Sequence, residues 1–452
     1  MKKSASKALP AAFALLFLSL LGFLVFAPHS DAAALRPKRF VTENGITLLV
    51  LEQPSLPIVS VQVLVRAGAV LDPKGKAGLA NITASLLEEG TTKRSAVEIS
   101  ETLEFMGAYL AVRAAKDAVS LRLRVLKKDI ETGLDVLSDI LMRPRFDGEE
   151  LARVRQQILG GIRAEKDQPG AIARRAFQKL VFREHPYAHA VVGNETSVPN
   201  ITRKDAIDFH GRYYHPNNTI IAVAGDITKN EIKALIQGYF GKWPRAETVF
   251  PNIAPLQPLP GKEVKKIEKD LSQATVILGH PGIHRSHPDY YPVLVMNYIL
   301  GGGGFASRMM TDIRDNRGLV YSIYSHFTAN ALPGDFSVSF QTKSRSAKEA
   351  VDGVLRMMTG IQKTGVSDTE LSEAKAYLSG SFPLKIDTTK KAAAMLASVE
   401  FHGLGLDYFE DHPKAILRVT KEDVLRAAQK YLHPGRYALV VVGNQHEIAL
   451  DK

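Results

Sequence analysis

The stretch TRKDAIDFHGRYYHPNNTIIAVAGD at residues 202–226 decides the fold, because the chain repeats its pattern as TKEDVLRAAQKYLHPGRYALVVVGN at residues 420–444. Both stretches begin with a threonine and an aspartate, pass through a His-Pro pair, and end in an apolar run that stops at a glycine. Four landmark pairs keep a constant offset of 218 residues: Thr202 and Thr420, Asp205 and Asp423, His215 and His433, Gly225 and Gly443. This offset indicates duplication of a domain of roughly 200 residues.

Proline marks the boundary between the two copies. The stretch 251–260 contains four prolines, and prolines concentrated between two patterned regions are typical of a linker. We therefore predict a first domain at 38–248, a linker at 249–264 and a second domain at 265–452.

Each copy mixes strand and helix signals. In the first copy, residues 47–52, 59–67, 118–126 and 219–224 predict strands, and 77–89, 95–106, 130–142 and 149–166 have helical spacing. The second copy gives 274–279, 290–300, 334–342, 347–359 and 438–443 in similar order. Strands and helices in such blocks predict an α+β fold of two duplicated α/β sandwich domains, each with an antiparallel-rich sheet covered by helices.

The amino terminus predicts the compartment. Lysines at positions 2, 3 and 7 precede an apolar run at 11–26 and an Ala-rich stretch at 30–34. This order is typical of a secretory signal with an A-x-A-like cleavage site. We predict a signal peptide at 1–34 and a periplasmic mature chain. An uncleaved leader that anchors the chain stays an alternative.

Charge and cysteine usage narrow the classes of function. The net charge is +11, from 58 basic and 47 acidic residues, which favours solubility or weak attraction to anionic envelope surfaces and acidic peptides. No long Lys/Arg run predicts nucleic-acid binding. The chain has no cysteine, which excludes disulfides, thiolate zinc sites, a cysteine nucleophile and a lipid anchor on cysteine.

A series of short motifs resembles the M16 metallopeptidases, the inverted-motif zinc peptidases of the insulinase, pitrilysin and mitochondrial processing peptidase type. The resemblance spans essentially the whole predicted mature chain. The matching segments are Asn44-Gly45-Ile46-Thr47, Val61 to Ala67 with Gly68, Gly78-Leu79-Ala80 with Gly90-Thr91, His185-Pro186-Tyr187 with Gly193, Gly301-Gly302-Gly303-Gly304 with Ser307-Arg308, and Arg317-Gly318-Leu319-Val320-Tyr321-Ser322. The resemblance implies a two-domain bacterial type of LuxS/metallohydrolase-like fold.

The zinc motif of this family is degenerate here. H-x-x-E-H places two imidazoles and a general base on one helix face, and a later glutamate completes the site. The resemblance aligns Asn81 and Ser85 with the two histidines, Ala84 with the base and Gly161 with the later glutamate. Amide and hydroxyl groups are poor zinc ligands, and alanine and glycine offer none. We therefore predict no metal site and no catalytic residue in this chain.

Other candidate metal ligands are interpreted as structural or solvent-exposed. Three histidine pairs are close in sequence or equivalent in the repeat: His185 with His189, His280 with His284, and His215 with His433. Pro186 argues against a helix in the first pair, the second pair predicts a loop, and the third occupies equivalent turns before strands. Glu88 and Glu89 predict a solvated helix end.

The second domain keeps a different family element. The resemblance implies that Arg314 and Tyr321 hold substrate near the scissile bond, as donors that stabilise an oxyanion. Arg317 is an alternative to Arg314. A purely structural interpretation is also open, in which Arg314 forms a surface ion pair and Tyr321 begins a strand. The glycine-rich loop lacks a strand–GxGxxG–helix frame and a P-loop lysine, so no nucleotide is expected. The resemblance implies that Gly302 and Gly303 contact substrate through backbone groups.

The resemblance implies a clam-like assembly of four such domains. Our first hypothesis is a heterodimer in which this chain supplies half of a peptide-binding chamber, while a sister subunit carries zinc and cleaves peptides. A homodimeric peptide-binding or scaffold protein without a proteolytic role is the alternative. A third hypothesis, an active peptidase with a displaced metal site, is tested by metal analysis.

Overall fold

The computed structural model describes residues 36–448 and residue 450. The predicted signal peptide at 1–34 lies outside the described residues. No helix within the described part is long and apolar enough to cross a membrane. The chain from Pro37 onward forms one compact unit, so the predicted division at 249–264 stays a prediction.

The first half builds a six-stranded sheet in the order β1-β2-β6-β3-β5-β4. Its strands are β1 (Lys38–Val41), β2 (Thr47–Glu52), β3 (Ile58–Val65), β4 (Tyr109–Ala114), β5 (Val119–Leu126) and β6 (Thr219–Gly225). All neighbours are antiparallel except β2 and β6, which run parallel with Thr47 opposite Ile220. Strand β6 is buried along its whole length, which explains its unbroken run of apolar residues.

The second half builds a five-stranded sheet in the order β7-β11-β8-β10-β9. Its strands are β7 (Glu263–Glu268), β8 (Gln273–Pro281), β9 (Val320–Phe327), β10 (Asp335–Lys343) and β11 (Ala438–Gly443). Only β7 and β11 are parallel. The two mixed sheets with their helices confirm the predicted α+β class.

Helices cover one face of each sheet and enclose a separate apolar core in each half. The helices of the first half are α1 (Leu79–Leu86), α2 (Ala96–Phe105), α3 (Ile130–Met142), α4 (Gly148–Ala164), α5 (Pro169–Phe182), α6 (Arg203–Tyr213) and α7 (Lys229–Phe240). Those of the second half are α8 (Tyr290–Asn297), α9 (Ala347–Thr364), α10 (Asp368–Gly380), α11 (Thr389–Phe401), α12 (Tyr408–Arg418) and α13 (Lys421–Tyr431).

The repeated Thr-x-x-Asp motif is a helix start in both halves. Thr202 accepts a hydrogen bond from the Asp205 N–H, and Asp205 accepts one from the Thr202 N–H, which forms a capping box at α6. Thr420 and Asp423 do the same at α13. Each pair satisfies backbone donors that a helix start leaves free. The two copies therefore share the same helix cap as well as the same sequence pattern.

The two halves exchange one helix each. Helix α5 of the first half packs on β8 and β11 of the second sheet, and α11 of the second half packs on β3 and β6 of the first. Phe177 of α5 is fully buried in a core that includes Ile277 and Val440. Each sheet is therefore covered on its second face by the other half of the chain.

Candidate functional site

Helix α1 carries the degenerate zinc motif and begins at a specialised turn. Gly78 adopts a left-handed conformation with φ of 100°, which favours glycine because it lacks Cβ. The Asp72 carboxylate accepts hydrogen bonds of 2.8 Å from the N–H groups of Gly78 and Ala80. These bonds satisfy free donors at the helix start. Helix α1 packs against α4, α6 and β4.

The four positions that correspond to zinc ligands and base hold no metal-binding chemistry. Asn81 and Ser85 are half-buried, Ala84 is 1% exposed, and Gly161 on α4 is exposed. The Ser85 hydroxyl donates to the Asn81 carbonyl at 3.0 Å. A Cβ atom at Gly161 would meet no atom within 4 Å. There is therefore room for a longer side chain at this position, although glycine has none. These residues do not fit a zinc ion.

Among the described residues, no group of three or more His, Asp or Glu side chains could hold a metal ion. His189 contacts the Ala69 carbonyl and the Asp72 carboxylate through Nε2, and the His185 Nδ1 accepts from the Tyr187 N–H. His189 thus joins its loop to the segment before α1, whereas His185 bonds within its own turn.

The prediction of a loop at His280 is wrong. His280 lies in strand β8 and is fully buried, and burial lowers its pKa to about 3. Its Nε2 accepts from the His433 N–H at 3.2 Å. Because β8 continues to Pro281, a neutral imidazole packs between the sheet and the turn that precedes β11, in a structural role.

The prediction of a solvated helix end at Glu88 is also wrong. Glu88 is half-buried, and burial raises its pKa to about 7, against a backbone hydrogen bond from Val112 on β4 that lowers it. Its neighbour Glu89 forms an ion pair with Arg153 of α4. An acidic group that titrates near neutral pH therefore lies directly after the degenerate motif.

Arg314 and Tyr321 form one surface cluster in the second half. Arg314 lies in a π-helical segment, Met310–Asn316, and Tyr321 lies near the start of β9 with 87% of its surface exposed. The Arg314 Nε donates to the Tyr321 carbonyl at 2.8 Å, and its Nη1 contacts Asp315 at 2.6 Å. The guanidinium lies 4.9 Å from the ring of Phe305. No residue of the described ranges bonds to the Tyr321 hydroxyl.

Arg317 is held differently. Its Nε contacts Asp312 at 3.1 Å, and its Nη1 lies 3.8 Å from Glu349. Arg317 therefore pairs with two carboxylates, whereas Arg314 has one adjacent carboxylate and two aromatic neighbours. This difference favours Arg314 as the group that is free to bind.

The glycine-rich stretch is a pair of tight helical turns. Residues Tyr298–Gly302 are π-helical, and the Gly303 N–H donates to the Tyr298 carbonyl at 2.8 Å. A Cβ at Gly302 would lie 2.6 Å from the Asn297 side chain, and one at Gly303 would lie 2.7 Å from the Tyr298 carbonyl. Both glycines are therefore required by close packing; Gly302 is exposed and Gly303 is half-buried.

Both halves of the chain match descriptions of the M16 peptidase family. A family profile described as insulinase (peptidase family M16) matches residues 47–195, and one described as peptidase M16 inactive domain matches residues 200–378. An uncharacterized zinc protease of Mycobacterium bovis is 27% identical over 92% of this chain and 95% of its own.

Two further similar proteins are described as a non-peptidase homolog and as an inactive domain of this family. A protein of Helicobacter pylori described as a non-peptidase homolog is 25% identical over 90% of this chain and 93% of its own. The crystal structure of a peptidase M16 inactive domain from Pseudomonas fluorescens superimposes with a TM-score of 0.86 at 30% identity, covering 91% of this chain and 98% of that one.

Proposed function

Because the chain belongs to the M16 peptidase family, we propose that it is the zinc-free subunit of a peptidase whose partner subunit carries the zinc ion. One observation carries the proposal. Helix α1 packs on α4 as a motif helix must, yet Asn81, Ala84, Ser85 and Gly161 stand where ligands and base are needed. The similarity to inactive M16 proteins supports a non-catalytic member of the family.

In this proposal the chain forms half of a peptide-binding chamber and presents Arg314 and Tyr321 to the substrate. The Tyr321 hydroxyl and the Arg314 Nη2 are donors without a partner among the described residues, so both can bond to a peptide carbonyl. Phe305 and the bond to the Tyr321 carbonyl hold the guanidinium in place. A guanidinium that is fixed before binding loses little entropy, and both donors would act where negative charge develops on oxygen.

The test is a cleavage assay on this chain, on a family member that carries H-x-x-E-H from the same organism, and on the two together. We expect chelator-sensitive cleavage only from the pair. Tyr321→Phe in the pair should lower kcat about 100-fold, as removal of one oxyanion donor does. Tyr324→Phe, an exposed tyrosine on the same strand, is the matched control and should retain activity.

Two results contradict this proposal. Cleavage by this chain alone that chelators abolish would show a metal site that the residues do not provide. Equal activity of Tyr321→Phe and Tyr324→Phe would remove the role of Tyr321. A stable homodimer that binds peptides but forms no complex with the sister would instead support the peptide-binding or scaffold role.

We also propose that the mature chain is periplasmic. Fractionation of cells of the source organism that express a tagged chain tests this location.

A further inference from the structure

A basic cleft lies beside the exchanged helix α11. The helix packs on β3 and β6, while Arg122 and Arg124 of β5 and Tyr109 of β4 stay exposed beside it. A cleft of about 160 Å³ forms where the first turn of the helix meets these residues. Arg122 and Arg124 of β5 and Lys390 of α11 line the cleft, and none of its lining residues is acidic. Three cationic side chains therefore surround one small cavity built from both halves of the chain.

The walls of this basic cleft are fixed by hydrogen bonds. The Arg122 Nε donates to the Gln62 Oε1 at 3.1 Å, and the buried Gln62 amide donates in turn to the Val63 carbonyl at 3.0 Å. The hydroxyls of Ser60 and Thr389 are 2.9 Å apart and join α11 to β3. The orientation of Arg122 and the position of the helix start are thus set before any ligand arrives.

The positive charge of the basic cleft is not neutralised locally. Arg124 and Lys390 form no ion pair with a carboxylate of the described residues, and the Arg122 Nη atoms have no described hydrogen-bond partner. The first turn of α11 adds partial positive charge from its free N–H groups. Three like charges that converge without a counter-ion repel one another, and an anion would relieve this repulsion.

The equivalent cleft of the second half shows the contrast. It lies between α5 and strands β9 and β10, has a volume of about 280 Å³ and contains Lys116 and Arg174. There the buried Asp335 faces both cations, and their attraction opposes the rise in its pKa that burial causes. The duplication therefore supplies an internal comparison in which only the basic cleft lacks an acidic residue.

We propose that the basic cleft binds the carboxylate side chain of an acidic peptide. Arginine pairs with carboxylates through parallel N–H donors, and the cleft volume of about 160 Å³ is several times the roughly 10–15 Å³ that a single water needs in such a cavity. The assignment of a peptide rests on the proposed function. It extends that function by naming acidic peptides as the preferred substrate class.

The experiment is calorimetric titration of the purified full chain, without a partner subunit, with two capped peptides. One contains Glu residues among Gly and Ser, and the other has Gln at every Glu position. We expect the Glu peptide to bind about tenfold more tightly than the Gln peptide, because two or three exposed ion pairs together contribute a gain of about this size. The difference should shrink as salt is added.

A double variant and a charge-matched control locate the site. Arg124→Gln with Lys390→Gln should abolish the preference for Glu and leave Gln-peptide binding unchanged. Lys93→Gln with Lys363→Gln removes the same charge from exposed lysines elsewhere and should keep the preference. Neither pair removes a packed side chain or the Arg122 bond to Gln62, so both variants should fold.

Three results overturn the inference. These are equal affinity for the two peptides, equal loss in the two double variants, and binding of inorganic phosphate with no binding of the Glu peptide. The last result would identify a site for free anions. Because no cleavage is measured, a failure here is distinguishable from failure of the proposed catalytic partnership.

Discussion

Restoring four side chains tests whether their loss alone removed zinc from this chain. The change is Asn81→His, Ala84→Glu and Ser85→His on α1, with Gly161→Glu on α4. Positions 81 and 85 are one helical turn apart and share a face, and α1 packs on α4. We expect the quadruple variant to bind one zinc ion per chain and the natural chain to bind none.

The structure predicts different costs for the individual changes. Ala84 is 1% exposed, so a carboxylate there, without metal, should lower the free energy of unfolding by about 3 kcal/mol. Gly161 is exposed and has open space around it. A side chain there should stabilise the helix by about 0.5–1 kcal/mol relative to glycine.

Urea unfolding and metal analysis measure both effects. Without zinc, Ala84→Glu alone and the quadruple variant should be less stable than the natural chain. With free zinc at about 100 times its Kd, the quadruple variant should recover about 2.7 kcal/mol, because zinc binds the folded state. Ala84→Glu alone should recover nothing and serves as the control. Stoichiometric zinc on the natural chain would refute the reasoning.

Two further predictions concern stability. In urea unfolding, Phe177→Ala should lower the free energy of unfolding by about 3–5 kcal/mol, because it leaves a cavity where the exchanged helix α5 meets the second sheet. The control is Phe105→Ala, at a side chain that is 94% exposed, and it should change this free energy by less than about 0.5 kcal/mol. Similar losses in the two variants would contradict the helix exchange. Burial raises the pKa of Glu88 from 4.5 to about 7, so folding favours its protonated form and the natural chain should lose stability as pH rises through this window. Glu88→Gln should not lose stability in this way, and its stability relative to the natural chain should grow by about 2.5 kcal/mol between pH 4.5 and pH 7. A pH-independent difference would show that Glu88 is solvated.

The sequence alone determined the class of fold and the chemistry of the degenerate motif. The constant offset between 202–226 and 420–444 predicted a duplication, and both copies do form a capped helix followed by a buried strand. Local patterns suffice here because capping and burial depend on residue type and spacing. The absence of imidazole and carboxylate groups at Asn81, Ser85 and Gly161 likewise needs no coordinates, since ligand chemistry belongs to the side chain.

Only the tertiary structure decided which helix packs on which sheet and which distant residues are neighbours. The strand at Tyr109–Ala114 and the exchange of α5 and α11 were not predicted, because a helix buried between sheets has the same periodicity whichever sheet it covers. Lys390 is far in sequence from Arg122 and Arg124 and meets them only because α11 crosses to the other half. The raised pKa of Glu88 likewise comes from its burial in the folded chain. Burial and charge balance depend on distances through space, and those exist only once the chain has folded.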